Sequence, residues 1–319
     1  IILSAAAVLM LFSCQNDVTE TATDASVLSQ RGCASHEVLE AQMKADPTLE
    51  SSMSAYEAVV QNNIKAIENG TSNYRLVNGV IEIPVVVNVL YRTAAENISQ
   101  AQIQSQIDVL NEDFNATNAD FTKVPSTFSA VKANVGIRFV LDQVIRKSTT
   151  KTSWKTDDAM KKSTKGGINP TTPTTKLNLW VCTLSGGILG YAQFPGGASA
   201  TDGVVILNTG FGRTGTAAAP YNKGRTATHE VGHWLNLRHI WGDATCGSDL
   251  VNDTPLHNTA NYGCPAAGHK STCSGTPIEM TMNYMDYTDD ACMYMFSAGQ
   301  KARILATFAT GGPRATFAQ

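Results

Sequence analysis

The sequence predicts an α/β (α+β) protein: a twisted, mixed β-sheet, a helix carrying a paired-histidine motif and a C-terminal subdomain. Three observations predict it. Runs rich in β-branched residues, led by Ile81 to Tyr91, alternate with helix-period stretches such as Ser99 to Phe114. Thr228 to His239 contains His-Glu-x-x-His, and on a helix that spacing turns His229 and His233 to one face. Beyond it, a turn-rich stretch carries Cys246, Cys264, Cys273 and Cys292.

Taken in order, Ile1 to Ser13 is an apolar run ending at Cys14. It is too short to span a bilayer and fits the apolar region of an export signal. A small residue directly before Cys14, with leucine two further back, resembles a bacterial lipoprotein signal, with Cys14 as the acylated residue; an ordinary secretion signal is the alternative. The absence of an initiator Met and a basic start suggests that the first few residues are missing. Residues 15–30, rich in Thr, Ser, Asp and Ala, read as a tether. From about Ser35 to Asn69 the pattern is helical, interrupted at Pro47, with Met53, Tyr56, Val59, Val60, Ile64 and Ile67 on an apolar stripe. Because it precedes the first convincing strand, this region reads as a pro-segment. The division expected is therefore a leader over 1–14, tether and pro-segment over 15–76, and a catalytic domain over 77–319.

Ile81 to Tyr91 reads as a buried strand whose Pro84 suggests a strand start or an edge. Ser99 and Gln102 make a capping box for a helix to Phe114, with Ile103, Ile107, Leu110 and Phe114 in one stripe. Ile137 to Leu141 and Leu177 to Cys182 are further strands, and 147–175 reads as a long surface loop. Gly186 to Phe194 reads as an edge strand, Gly203 to Asn208 as the next, and the metal helix starts near Arg225 or Thr226. Ser297 to Phe308 reads as a closing helix.

The totals narrow the class. The chain has 319 residues, 43% of them apolar, enough for one large domain and a smaller piece. A net charge of -3 gives no reason to expect nucleic acid or an anionic membrane surface. Low charge (16%) with abundant Thr, Ser, Asn and Gly suits an exported protein. In that setting the four clustered cysteines read as two disulfides, and three pairings are open. A structural zinc site is the alternative, but the spacing lacks Cys-x-x-Cys.

Zinc accepts imidazole nitrogen, and three protein ligands leave one position open for water, the catalytic arrangement. Glu230 lies beside His229, in reach of that water as general base. His239 can join only if the chain leaves the helix after His233. Asn236 stands where left-handed geometry is needed, and asparagine tolerates it. Glu279 is a rival third ligand, though its placement lacks the fitting spacing of His239.

His229-Glu230-Val231-Gly232-His233-Trp234-Leu235, with Asn236 and His239, resembles the metzincin zinc endopeptidases, and within them the pappalysin group. Asn283-Tyr284-Met285-Asp286-Tyr287 resembles the metzincin Met-turn. The resemblance covers roughly residues 80–310. It implies a metzincin-type sheet with the Met-turn in the C-terminal subdomain. It also implies Met285 as an apolar floor beneath zinc, and Tyr287 as a hydroxyl supporting the oxyanion. It implies bridges Cys246–Cys273 and Cys264–Cys292. It implies an edge strand that pairs with peptide or protein substrates held in extended conformation. It points to calcium near Asp249, Asp253 and Thr254, for which ordinary turn chemistry is the alternative. His257 and His269 in the same region read as surface residues. Asp289-Asp290 falls where the family lines the pocket after the scissile bond, which favours a basic side chain, but Ala291 stands where arginine-cleaving relatives carry Asp. Arg31-Gly32-Cys33-Ala34 resembles a cysteine switch, the Cys33 thiolate filling the open zinc position; an unpaired thiol, or a bridge to Cys182, is the alternative.

The function these readings imply is an exported or surface-anchored zinc endopeptidase, made as a zymogen, in which Glu230 assists attack by zinc-bound water. The rival is a lipid-anchored binding or adhesion protein with a non-catalytic zinc site.

Overall fold

The structure, a computed structural model, describes Ile1, residues 30–72, Tyr74, Leu76 and residues 79–318. The expected leader, its Cys14 and nearly all of the tether lie outside the described residues. Among those described, no helix is long and apolar enough to cross a membrane.

Five strands form the main sheet: β1 (Ile81–Tyr91), β3 (Ile137–Ser148), β4 (Leu177–Cys182), β5 (Gly190–Ala192) and β6 (Val204–Leu207), in the order β3-β1-β4-β6-β5. All pairings are parallel except β5 with β6. A short ribbon pairs β2 (Lys132–Ala133) with β7 (Phe296–Ser297). The period of two sorts side chains between two cores. Ile81, Ile83, Val85, Val87 and Val89 of β1, with Leu177 and Leu179 of β4, share a core with α3 (Gln100–Phe114) and α4 (Arg225–Trp234). Trp180, Tyr191, Val205 and Leu207 face the opposite core, with Val38 of α1 (Ser35–Ala45) and its N-cap Ala34.

Two expectations about strands and caps need correction. β1 is central rather than an edge, yet it tolerates Pro84 because β4 pairs only from Val85 onward; at Pro84 the strand has a neighbour on one side only. Ser99 caps α3 through the Gln102 N–H, but the Gln102 side chain does not close a capping box. It donates instead to Asn208 O and Phe211 O, tying α3 to the loop ahead of the metal helix. The full capping box is on α5 (Ala298–Phe308), between Ser297 and Gln300.

The helical stretch before β1 splits at Pro47 into α1 and α2 (Thr48–Glu68). α2 lies along α5. Glu57 accepts two hydrogen bonds from the Arg303 guanidinium, each 2.7 Å, and Asn63 donates to Ala306 O. Among the described residues the bridges are Cys246–Cys273 and Cys264–Cys292, and Cys33 and Cys182 are buried free thiols.

Candidate active site

α4 is short and wholly buried, so its position is set by what its first turn grips. Arg225 reaches both oxygens of Asp113 on α3, at 3.2 and 3.3 Å, and both of Asp120, at 2.9 and 3.0 Å. Thr228 donates to Asp113 at 2.7 Å. Burial raises the Asp113 carboxyl, and Arg225 offsets only part of that rise. These anchors were not legible in the motif, because their partners lie more than a hundred residues away along the chain.

The helix carries His229, Glu230 and His233, and ends at Leu235. Asn236 then takes φ 72°, the left-handed turn expected of it, and His239 returns to the site. Each imidazole donates its Nδ1 proton outward: His229 to Tyr284 O at 2.7 Å, His233 to Leu237 O at 2.8 Å, and His239 to the Asp243 carboxylate. The acceptors fix the tautomers, leaving three Nε2 lone pairs facing inward. His233 Nε2 lies 3.1 Å from Nε2 of both His229 and His239. Burial lowers the pKa of His229 and His233 well below the usual imidazole range. With each Nδ1 facing an outward acceptor, the three Nε2 atoms converge on one point, an arrangement that a cation between them would stabilise. The residues present therefore fit zinc.

Two close approaches depend on absent side chains. A Cβ on Gly232 would meet Met285 Sδ at 2.5 Å, so the glycine of the motif lets Met285 pack against the helix one residue before His233. A Cβ on Gly190 would meet Val205 O at 2.7 Å and Glu230 Cγ at 3.0 Å, so the β5 edge runs close past the carboxylate. Glu230 is fully buried, which pushes its carboxyl up to about 7 against the lowering effect of nearby Ser35 and Cys33. The Tyr287 ring packs edge-on against His239, with centroids 4.9 Å apart.

The segment before α1 fills this cleft. The Cys33 Sγ and the three imidazole nitrogens all lie within 4.8 Å of one another. Cys33 also makes a parallel bridge to Gly190, and Ala34 N donates to Gly190 O. The Tyr287 hydroxyl donates to Cys33 O at 3.1 Å. Two residues earlier, Arg31 enters a pocket of its own. It donates to Asp290 Oδ1 at 2.5 Å, Thr288 O at 3.1 Å and Thr226 Oγ1 at 3.3 Å, and lies over the Tyr221 ring. Asp290 Oδ2 meanwhile accepts from Lys223 N and Arg225 N.

The downstream loops depart from the sequence reading at His257 and at Asp253. His257 is fully buried rather than at the surface. Its Nε2 accepts from Met280 N, and its Nδ1 faces Asp286 and Glu279 at 3.6 and 3.8 Å. Asn261 Nδ2 donates to both carboxylates. Glu279, the rival zinc ligand, belongs to this cluster and is not among the groups converging at the histidines. A tight polar network needs burial, and no local spacing announces it. Asp249 and Thr254 come together, the threonine hydroxyl 2.9 Å from both carboxylate oxygens. Asp253 instead caps α5, accepting from Ser297 Oγ and Gly299 N.

Comparison with known proteins agrees with this geometry. The model of the peptidase M43 family, described as pregnancy-associated plasma protein-A, matches residues 175–309. An extracellular metalloprotease of Pyricularia oryzae is 36% identical over 258 residues, 77% of this chain and 80% of that protein. One from Colletotrichum graminicola is 32% identical, covering 90% and 93%. Among solved structures, mature mirolysin of Tannerella forsythia with a cleaved peptide aligns with a TM-score of 0.73 at 46% identity, covering 75% of this chain and 96% of that one. A promirolysin mutant from the same organism aligns with a TM-score of 0.81 at 41% identity, covering 90% and 97%.

Proposed function

The chain belongs to the peptidase M43 family of metallopeptidases, and from that premise we propose that it is an exported zinc endopeptidase held latent by its own N-terminal segment. The observation that carries the catalytic assignment is the convergence of His229, His233 and His239 through three inward Nε2 atoms, with Glu230 alongside. Held by His229, His233 and His239, zinc would supply Lewis acidity and bring the pKa of a bound water towards about 7. Glu230 accepts that water's proton during attack on the peptide carbonyl and passes it to the leaving amine. Tyr287 donates its hydroxyl to the oxygen that gains charge, a role supported by its bond to the Cys33 carbonyl in the same cleft. Gly190 to Ala192 offers edge backbone groups to an extended substrate. The residues before about 77 act as the pro-segment, with Cys33 as the switch that takes the fourth metal position.

The Arg31–Asp290 contact supports a preference for a basic residue after the scissile bond. Ala291 is no obstacle to that reading, because Asp290 supplies the acid. Two disulfides and fungal relatives named as extracellular support export. A calcium ion at Asp249 and Thr254 completes the proposal. The non-catalytic reading is not favoured, since it leaves a buried carboxylate beside the metal position without a task.

Glu230→Gln tests the base assignment. The variant keeps stoichiometric zinc and loses peptide cleavage by about 100-fold or more; turnover near wild type with zinc retained contradicts it.

A further inference from the structure

Cys33 accounts for the metal side of latency, but the residue two positions on does something different. Ser35 is fully buried, and its Oγ serves two groups of the cleft at once. It donates to Glu230 Oε2 at 2.9 Å and accepts from Ala192 N at 2.8 Å. Its backbone N–H points at Cys33 Sγ, 3.4 Å away. A hydroxyl has one proton to give, and here it goes to the carboxylate proposed as the base. The lone-pair side meets the rim strand, where an extended substrate would pair.

The local sequence makes this use of serine conspicuous. α1 begins at Ser35, and its N-cap is Ala34, which makes no side-chain cap. Serine is favoured and alanine disfavoured at that cap position. The order Ala-Ser forgoes the cap and frees the hydroxyl for the cleft.

We propose that Ser35 is a second latch, acting on the catalytic base and the β5 edge rather than on the metal. The inference rests on the zymogen reading above and adds to it a lock that needs no zinc. With metal removed, Cys33 keeps only weak thiol contacts, 3.3 Å to Glu230 Oε2 and 3.1 Å to Ser35 Oγ, while Ser35 still ties the segment to both Glu230 and Ala192. Substrate and Ser35 compete for the same two groups, so latency does not depend on thiolate ligation alone.

The test follows opening of the segment in full-length protein stripped of zinc, by the rate at which iodoacetamide alkylates Cys33, read by mass spectrometry of its peptide. Cys182, buried in β4, is the internal control for an intact catalytic core. Losing a hydrogen bond to a charged group predicts about tenfold or greater acceleration in Ser35→Ala, with Cys182 unchanged. In a Glu230→Ala background the same substitution gives a smaller acceleration, about threefold, because only the bond from Ala192 N is left to lose. An unchanged Cys33 rate in Ser35→Ala, or equal acceleration in both backgrounds, overturns the proposal. So does a rise at Cys182 matching that at Cys33, which assigns Ser35 to general stability. None of these readouts depends on peptide cleavage, so a failed hydrolysis assay bears on the protease reading alone.

Discussion

Arg31→Ala removes a buried side-chain anchor of the N-terminal segment. The guanidinium and the Asp290 carboxylate are 1% and 0% exposed, so solvent does little to screen their attraction. Removing one partner of a buried pair costs about 3–5 kcal/mol, because the other charge stays buried and unpaired. Asp290 keeps two backbone donors on Oδ2, from Lys223 and Arg225, which puts the loss at the lower end, about 3 kcal/mol. At about 1.4 kcal/mol per factor of ten, the closed-to-open ratio falls roughly 100-fold. The assay is the initial rate of intact, zinc-loaded full-length protein on a quenched peptide with arginine after the scissile bond, with integrity followed on a gel. Arg31→Ala should raise that rate by about two orders of magnitude before any chain cleavage, and Arg31→Lys should fall between it and wild type. Wild-type latency in Arg31→Ala would refute the claim that this pocket holds the segment shut.

Two further outcomes follow. Burial opposes ionisation of Glu57, yet the Arg303 guanidinium wins and holds its carboxyl down at about 2, below the ordinary value of about 4.3. A depressed folded-state pKa gives stability that is present above the unfolded value and lost as pH falls through the folded one. Docking of α2 on α5 should therefore weaken from about pH 4.5 towards pH 2, seen as falling amide protection factors in α2 after correction for the intrinsic pH dependence of exchange; Glu57→Gln should show low protection at pH 7 and lose that dependence, and an unaltered profile contradicts the assignment. Burial also pushes the Asp249 carboxyl up to about 6 against the bonds from Thr254 and Val251. Millimolar calcium should raise the unfolding midpoint of wild type by about 2 °C or more and leave Asp249→Asn unmoved; equal midpoints with and without calcium exclude the site.

The parts of the fold and site that are local in sequence could be read directly. The metal helix shows in an i, i+4 pair, the chain's exit from it in Asn236, and the sheet in β-branched runs whose alternate residues fill two cores. What could not be read joins distant segments. Arg31 meets Asp290 across 259 residues, and Ser35 meets Glu230 across 195. Neither has a periodicity that marks its partner. His257 appeared to be a surface residue because turn-rich sequence is usually exposed; Asn261, Glu279 and Asp286 supply the polar partners that allow it inside. Asp243 was within reach of sequence reasoning, since a carboxylate four residues after a ligand histidine is placed to orient its ring.

X-ray absorption at the zinc edge probes the centre of the account most directly. Full-length protein should bind one equivalent, with three nitrogen ligands and one sulfur. Cys33→Ser should keep the three nitrogens and lose the sulfur. Fewer than three imidazoles, or a spectrum without sulfur in the unaltered chain, would contradict the site as drawn.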